Sequence, residues 1–229
     1  MIYLFIIIMH ILCILVDNNF LFLQTHTGDL TLNSNVTCDS QETVTCIGIL
    51  QDDITLDCNG YSIIGPGADI GTGIRVIGSN FIVKNCNVEQ FLVGIDNDAF
   101  STSTTVESST LSNNEIGIAH EQGSLTLKNV LAENNRVGLS LFRDAEVQVV
   151  IDNAYLCNNS DEDISVGPSA GGETCPEVEA TGHIFASAFE SRDCPPIEDA
   201  INDSLEENGF GPIKSCTDLV AQQSLLSDM

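Results

Sequence analysis

A glycine followed by an aliphatic residue recurs at a nearly constant interval: Gly73-Ile74, Gly94-Ile95, Gly117-Ile118 and Gly138-Leu139, at steps of 21, 23 and 21 residues. A second pattern lies between these marks: Ile54-Thr55-Leu56-Asp57-Cys58, Phe81-Ile82-Val83-Lys84-Asn85, Thr104-Thr105-Val106-Glu107-Ser108, Leu125-Thr126-Leu127-Lys128-Asn129 and Val149-Val150-Ile151-Asp152-Asn153. Its central aliphatic residue moves from 56 to 83, 106, 127 and 151. Apolar residues alternate with polar ones, which is strand periodicity, and no helical stripe intervenes. A period near 22 is too short for a strand–helix–strand unit, which needs about 30 residues. The Leu-x-x-Leu-x-Leu pattern of leucine-rich repeats is absent. Coils of two or three short strands, each stacked on its neighbours, fit the spacing.

Stacking would bring equivalent residues ~4.8 Å apart along the axis, so the columns carry information. The residue after the central aliphatic reads Asp57, Lys84, Glu107, Lys128, Asp152, alternating in sign at every step. Opposite charges on neighbouring strands attract. Glu115 falls in register with Arg136, and Arg75 with Asp96. The pairs Asn113-Asn114, Asn134-Asn135 and Asn158-Asn159 also align, as do Asn85, Ser108, Asn129 and Asn153. Stacked Asn side chains can bond along the axis.

The run Ile54 to Gly67, followed by Gly73 to Val88 and Gly94-Ile95, resembles the right-handed parallel β-helix repeat family, whose fold is pectin-lyase-like. The resemblance covers roughly residues 50 to 166. It implies an all-β chain: a short right-handed parallel β-helix of about five coils. It says little of activity, because that fold hosts lyases, hydrolases, epimerases and non-catalytic surface proteins.

The ends differ in composition. Residues 1–26 read as a signal peptide or an N-terminal anchor: Met1 to Val16 is apolar, yet no Lys or Arg precedes it and no small-x-small site follows. Residues 27–166 are assigned to the β-helix, with Thr27 to Leu50 as its N-terminal cap. Residues 167–229 form an acidic appendage after Gly167-Pro168 and Gly171-Gly172, where the repeat is expected to stop. Within it, Pro196 to Asn208 can form an amphipathic helix, with Ile197, Ala200, Ile201 and Leu205 on one face. Eight cysteines follow the leader: Cys38, Cys46, Cys58, Cys86, Cys157, Cys175, Cys194 and Cys216. Beside a signal-like start, an even set points to disulfides and a secreted protein, the anchored form being the alternative. Register favours Cys58–Cys86. Cys38–Cys46 would close a small loop, and Cys157–Cys175 with Cys194–Cys216 would tie the tail. Asn35, Asn158 and Asn202 stand in glycosylation sequons.

Charge narrows the partners. Seven basic residues face 33 acidic ones, a net charge of -26. Such a chain repels nucleic acid, anionic membranes and acidic polysaccharides, unless a metal ion bridges the last. Trp is absent, which excludes sugar stacking on Trp. There is no Cys-x-x-Cys and the four His are scattered, against a zinc site.

Candidate chemistry is sparse. Lyases of the resembled fold generally use a basic Arg or Lys, often with acidic residues holding calcium. Lys84, Lys128, Arg136 and Arg75 each have an opposite charge in the adjacent coil. Arg143, followed by Asp144, has no assigned partner and is the first choice for a base. Asp96 and Asp98 are the first choice for a Ca²⁺ site through oxygen ligands, with Asp52-Asp53 and Asp161-Glu162-Asp163 as further acidic clusters. His120 shares a column with Val76 and Leu141, which point inward, so it is expected as a core or capping residue. No nucleotide-binding or serine-nucleophile motif is present. The expectation is a secreted, non-catalytic β-helix without a cofactor, presenting a sheet face to a glycan or surface. A polysaccharide lyase, epimerase or hydrolase, calcium-dependent in its most specific form, is the alternative. An intact remnant of a longer family member without a working site is a third.

Overall fold

The computed structural model describes residues 28–38, 45–97, 103–142, 147–167, 175–191 and 194–217. The described residues form a parallel β-solenoid of about six turns closed by one short helix. Three strand columns run along it. The first face stacks β1 (Leu30–Thr31), β4 (Thr55–Asp57), β7 (Phe81–Lys84), β10 (Ser103–Glu107) and the leading halves of β13 (Ser124–Glu133), β15 (Gln148–Tyr155) and β17 (Glu177–Phe185). The second stacks β2 (Val36–Thr37), β5 (Ser62–Ile64), β8 (Asn87–Glu89), β11 (Thr110–Ser112) and the trailing halves of those three long strands. The third stacks β3 (Thr45–Ile49), β6 (Thr72–Val76), β9 (Val93–Asn97), β12 (Ile116–His120), β14 (Val137–Phe142), β16 (Glu162–Gly167) and β18 (Phe189–Ser191). Every pairing is parallel.

The central column is Leu56, Val83, Val106, Leu127 and Ile151, as the periodicity requires, and it extends to Leu30 below and Ala180 above. The stack is therefore longer than the expected five coils at both ends. Within the span expected as a cap, β1, β2 and β3 form the first coil. Strand pairing also continues past Val166, through β17 on β15 and β18 on β16. The Gly- and Pro-containing stretch after Val166 lengthens the step to Ala180 and hides the period. The core is aliphatic: Ile63, Val88 and Leu111 of the second face and Ile74, Ile95, Ile118, Leu139 and Ile164 of the third are almost fully buried.

The glycine repeat has a steric cause. A Cβ on Gly94 would sit 2.6 Å from the Gly117 carbonyl oxygen, and one on Gly117 would sit 2.6 Å from that of Gly138. Successive coils approach too closely there for a side chain. The Asn85, Ser108, Asn129 and Asn153 column takes φ between 47° and 55°. Asn tolerates this left-handed conformation better than other non-glycine residues, and the next level substitutes Gly182 at φ 75°.

The open upper end is covered by α1 (Ile197–Glu207), inside the span expected from amphipathicity. Ile197, Ile201 and Leu205 are buried. Glu198 and Asp199 in its first turn complement the helix dipole. The helix also satisfies the exposed strand edge: the Ala180 N–H donates to Ser204 Oγ at 2.9 Å, and Asn208 Nδ2 donates to the Ala180 carbonyl at 3.4 Å. Covering an edge in this way blocks strand addition by another chain.

Four disulfides staple the chain. Cys38–Cys46 and Cys58–Cys86 pair as expected. The tail pairs differently from the expectation: Cys157–Cys216 and Cys175–Cys194, not Cys157–Cys175 and Cys194–Cys216. The reason is a short segment after α1 that returns to the second face. Lys214 bridges Phe185 in parallel, and this brings Cys216 to Cys157. Disulfides at this density fit an oxidising, extracellular environment. No helix among the described residues is long and apolar enough to cross a membrane.

Candidate functional site

The outward surface of the first face is built from three aligned columns. Ser103, Ser124, Gln148 and Glu177 form one, and Thr55, Ile82, Thr105, Thr126, Val150 and Glu179 the middle one. Asp57, Lys84, Glu107, Lys128 and Asp152 form the third. Strand alternation places these side chains opposite the buried central column. From Thr55 to Val150 the middle column is half-buried and in regular register. The charged column holds two cations and three anions, near balance in a chain with seven basic and 33 acidic residues. Lys84 Nζ lies 3.3 Å from Asp57 Oδ2. The Asn85 side chain donates to Asp57 Oδ1 at 3.0 Å, and this bond, with the Asn59 N–H and Lys84, holds the Asp57 carboxyl below its ordinary range. Lys128 stands in register between Glu107 and Asp152, but the described residues give it no ion pair within 4 Å.

The other described basic residues, Arg75, Arg136 and Lys214, are engaged elsewhere. Arg136 pairs with Glu115 and, at 2.9 Å, with Asp161. Asp161 and Glu115 together hold the guanidinium more firmly charged than usual. Arg75 lies 3.7 Å from Asp96, so that first-choice metal residue has a cation beside it. Asp98, Arg143, Asp144 and Arg192 lie outside the described residues. Lys214 sits 5.5 Å from the centre of the Phe185 ring, within cation–π range.

The acidic clusters separate into different tasks. Asp52 Oδ1 accepts from the Ser79 N–H, and Asp53 Oδ1 from the Asn80 side chain. In Asp161-Glu162-Asp163, Asp161 faces Arg136 and Asp163 turns into the stack. The Glu162 carboxyl is raised above its ordinary range by burial and by a hydrogen bond with Glu190 on the adjacent strand. Cys157, Asp163 and Cys216 gather potential ligand atoms within 4.8 Å, but both sulfurs are consumed by the disulfide. An open groove of about 530 Å³ between β17 and α1 is lined by Glu179, Asp203 and Glu207.

The sequons differ in setting. Asn35 and Asn158 are exposed, Asn158 at φ 61°. Asn202 is half-buried on α1, and its Oδ1 accepts from the Ile213 N–H at 2.8 Å.

The axial bonding expected of the asparagine pairs is present, and two details go beyond the sequence. One is that the second asparagine of each pair makes the bonds, to backbone groups as well as to the next amide. Asn114, Asn135 and Asn159 accept from the backbone N–H of Phe91, Asn114 and Asn135, and donate to the carbonyls of Val88, Leu111 and Ala132, all at 3.0–3.1 Å. Asp163 ends this ladder, accepting from Asn159 Nδ2 and from the Ser187 and Ala188 N–H groups. The other is the partner of His120: Asn97, one coil below in the same column. Their registers alone pair the two residues.

Compared with models of protein families, with curated proteins and with solved structures, the chain gives no match. The functional reading therefore rests on its own surfaces.

Proposed function

We propose that this is a secreted β-helix protein that holds a glycan or a glycan-coated surface against its first face without transforming it. The observation that carries this reading is the aligned outer lattice of Thr55, Ile82, Thr105, Thr126 and Val150 beside a nearly charge-balanced column. A neutral polysaccharide suits it best. Hydroxyls and short aliphatic groups match a sugar's mixed surface, whereas the net charge of -26 opposes a polyanion. The regularly repeating face offers many weak, repeated contacts, and these suit an extended polymer.

The second reading is a polysaccharide lyase or hydrolase of the pectin-lyase-like fold. The Glu162–Glu190 carboxyl pair favours it, since a carboxyl with a raised proton affinity can act as a general acid. Its calcium-dependent form would make a uronate polymer the substrate.

One experiment separates the two. The purified protein is incubated with insoluble neutral glucans, chitin and polyuronates, with and without calcium; bound protein and released product are both measured. Binding proposes itself as the function if the protein is retained on a neutral polymer, no product appears, and Thr105→Glu with Thr126→Glu lowers retention at least about tenfold at unchanged melting temperature. Ultraviolet-absorbing unsaturated product, or new reducing ends, establishes the enzyme reading instead.

A further inference from the structure

The third face carries an inward column of Ile49, Val76, Asn97, His120, Leu141 and Val166. Two polar side chains interrupt it, and both are fully buried. Their atoms are connected in one chain. Asn97 Nδ2 lies 2.5 Å from His120 Nδ1, and His120 Nε2 lies 3.1 Å from the Gly123 carbonyl. Thr104 Oγ1 donates to Asn97 Oδ1 at 2.9 Å. A carbonyl can only accept, so the ring carries its proton on Nε2. Nδ1 is then the acceptor for the Asn97 amide, and the imidazole is neutral.

We propose that the Asn97–His120 pair is an acid-sensitive pin fixing the corner where the third face turns into the first. Asn97 ends β9 and Thr104 stands at the start of β10; His120 ends β12 and Gly123 leads into β13. The pin thus ties two successive corners. The adjoining backbone bonds run from the Glu121 N–H to the Asn97 carbonyl and from the Gln148 N–H to the Gly123 carbonyl. A proton added at Nδ1 points at the amide N–H₂ of Asn97. Asn97 must then turn over and Thr104 reverse its bond, or the corner must open.

The ring's surroundings give an added charge little support. It meets Asn97 from β9, Leu141 from β14 and the Gly123 carbonyl from the turn before β13. Among the described residues no titratable side chain faces it: Asp96 is engaged with Arg75, and Glu121 follows the ring at the strand end. Burial pushes His120 down to about 4 from the ordinary 6.5. The unfolded chain therefore binds the extra proton first as pH falls. Stability from the neutral pair is complete above pH 6.5 and is lost progressively between 6.5 and about 4. Net repulsion changes in the opposite sense, since approach to the isoelectric point of about 4.1 relieves it, while Asp57, held below its ordinary range, changes in the same sense as His120. This inference does not depend on what the first face binds.

Histidine-ring NMR on the whole protein tests it first. At pH 5.5 an ordinary imidazole is mostly protonated; the His120 ring is expected to stay neutral in the Nε2–H form. Titration of that ring near 6.5 overturns the proposal. The second test compares the natural chain with N97V/H120L, which removes both polar partners together. Relative to that variant, the folding equilibrium constant of the natural chain should fall on the order of 100-fold between pH 7 and pH 4. The Glu121 and Gln148 amides should exchange faster only in the natural chain. Parallel pH dependence in the two proteins overturns the pin. Should the variant not fold, the ring titration decides alone.

Discussion

The amide ladder of Asn114, Asn135 and Asn159 and the charge ladder of Asp57, Lys84, Glu107, Lys128 and Asp152 climb the same stack. Both are columns of like positions one coil apart. Asn114 and Asn135 of the amide ladder are buried, and their side chains bond to backbone groups and the next amide. The charge ladder lies at the surface: the Lys84–Asp57 pair has side chains 37% and 26% exposed, and Lys128 makes no ion pair among the described residues. Water and salt weaken a surface pair to ~0–1 kcal/mol, whereas a buried group deprived of its partner costs about 1–3 kcal/mol. Equal regularity in sequence thus conceals unequal energies. The buried column holds the coils in register, and the exposed one shapes the face that the proposed partner would meet.

Substitutions can break this contrast. Asn135→Leu carries the largest expected effect, a loss of about 4 kcal/mol in urea unfolding. It strands the buried N–H of Asn114 and the Leu111 carbonyl and interrupts both amide neighbours. A loss below about 1 kcal/mol would put the two ladders on a par. Gly117→Ala tests the same corner sterically. Its Cβ would press on the Gly138 oxygen, and the expected cost is about 2–3 kcal/mol. Lys84→Glu sets like charges against Asp57 and Glu107 and should cost roughly 1–2 kcal/mol, diminishing with added salt. Lys128→Ala should shift stability by less than about 0.5 kcal/mol. A drop as large as that of Lys84→Glu would show that register alone confers binding energy, without a close pair.

Much of the fold was legible in the sequence, for physical reasons that also explain the failures. Leu56, Val83, Val106, Leu127 and Ile151 were visible because the core demands an aliphatic residue at each level. Leu30 was missed because β1 has only two residues, too few to display alternation. Ala180 was missed because its step from Ile151 is longer than any other in the column. The asparagine pairs were visible as a repeat, but not their division of labour: Asn113, Asn134 and Asn158 take positive φ and stay exposed, while their followers turn inward. Cys58–Cys86 followed from register, and Cys38–Cys46 from the small loop it closes. Those of the tail did not, because the strand bridge at Lys214 belongs to no repeat. The candidate site was the least legible. The proposed binding face carries no catalytic motif, and its columns are the same ones that folding requires. His120 was correctly expected inside, yet its bond to Asn97 emerges only when the two registers are compared.

Native-state hydrogen exchange tests the inequality of the two ladders most directly. The Asn114 and Asn135 amide hydrogens are bonded to side-chain oxygens of the next coil; the Asn59 amide is bonded to the exposed carboxylate of Asp57. The account predicts that Asn114 and Asn135 exchange only through global unfolding, with the same denaturant dependence as core strand amides, while Asn59 exchanges by local opening. Exchange of Asn114 and Asn135 as fast as Asn59 would contradict it.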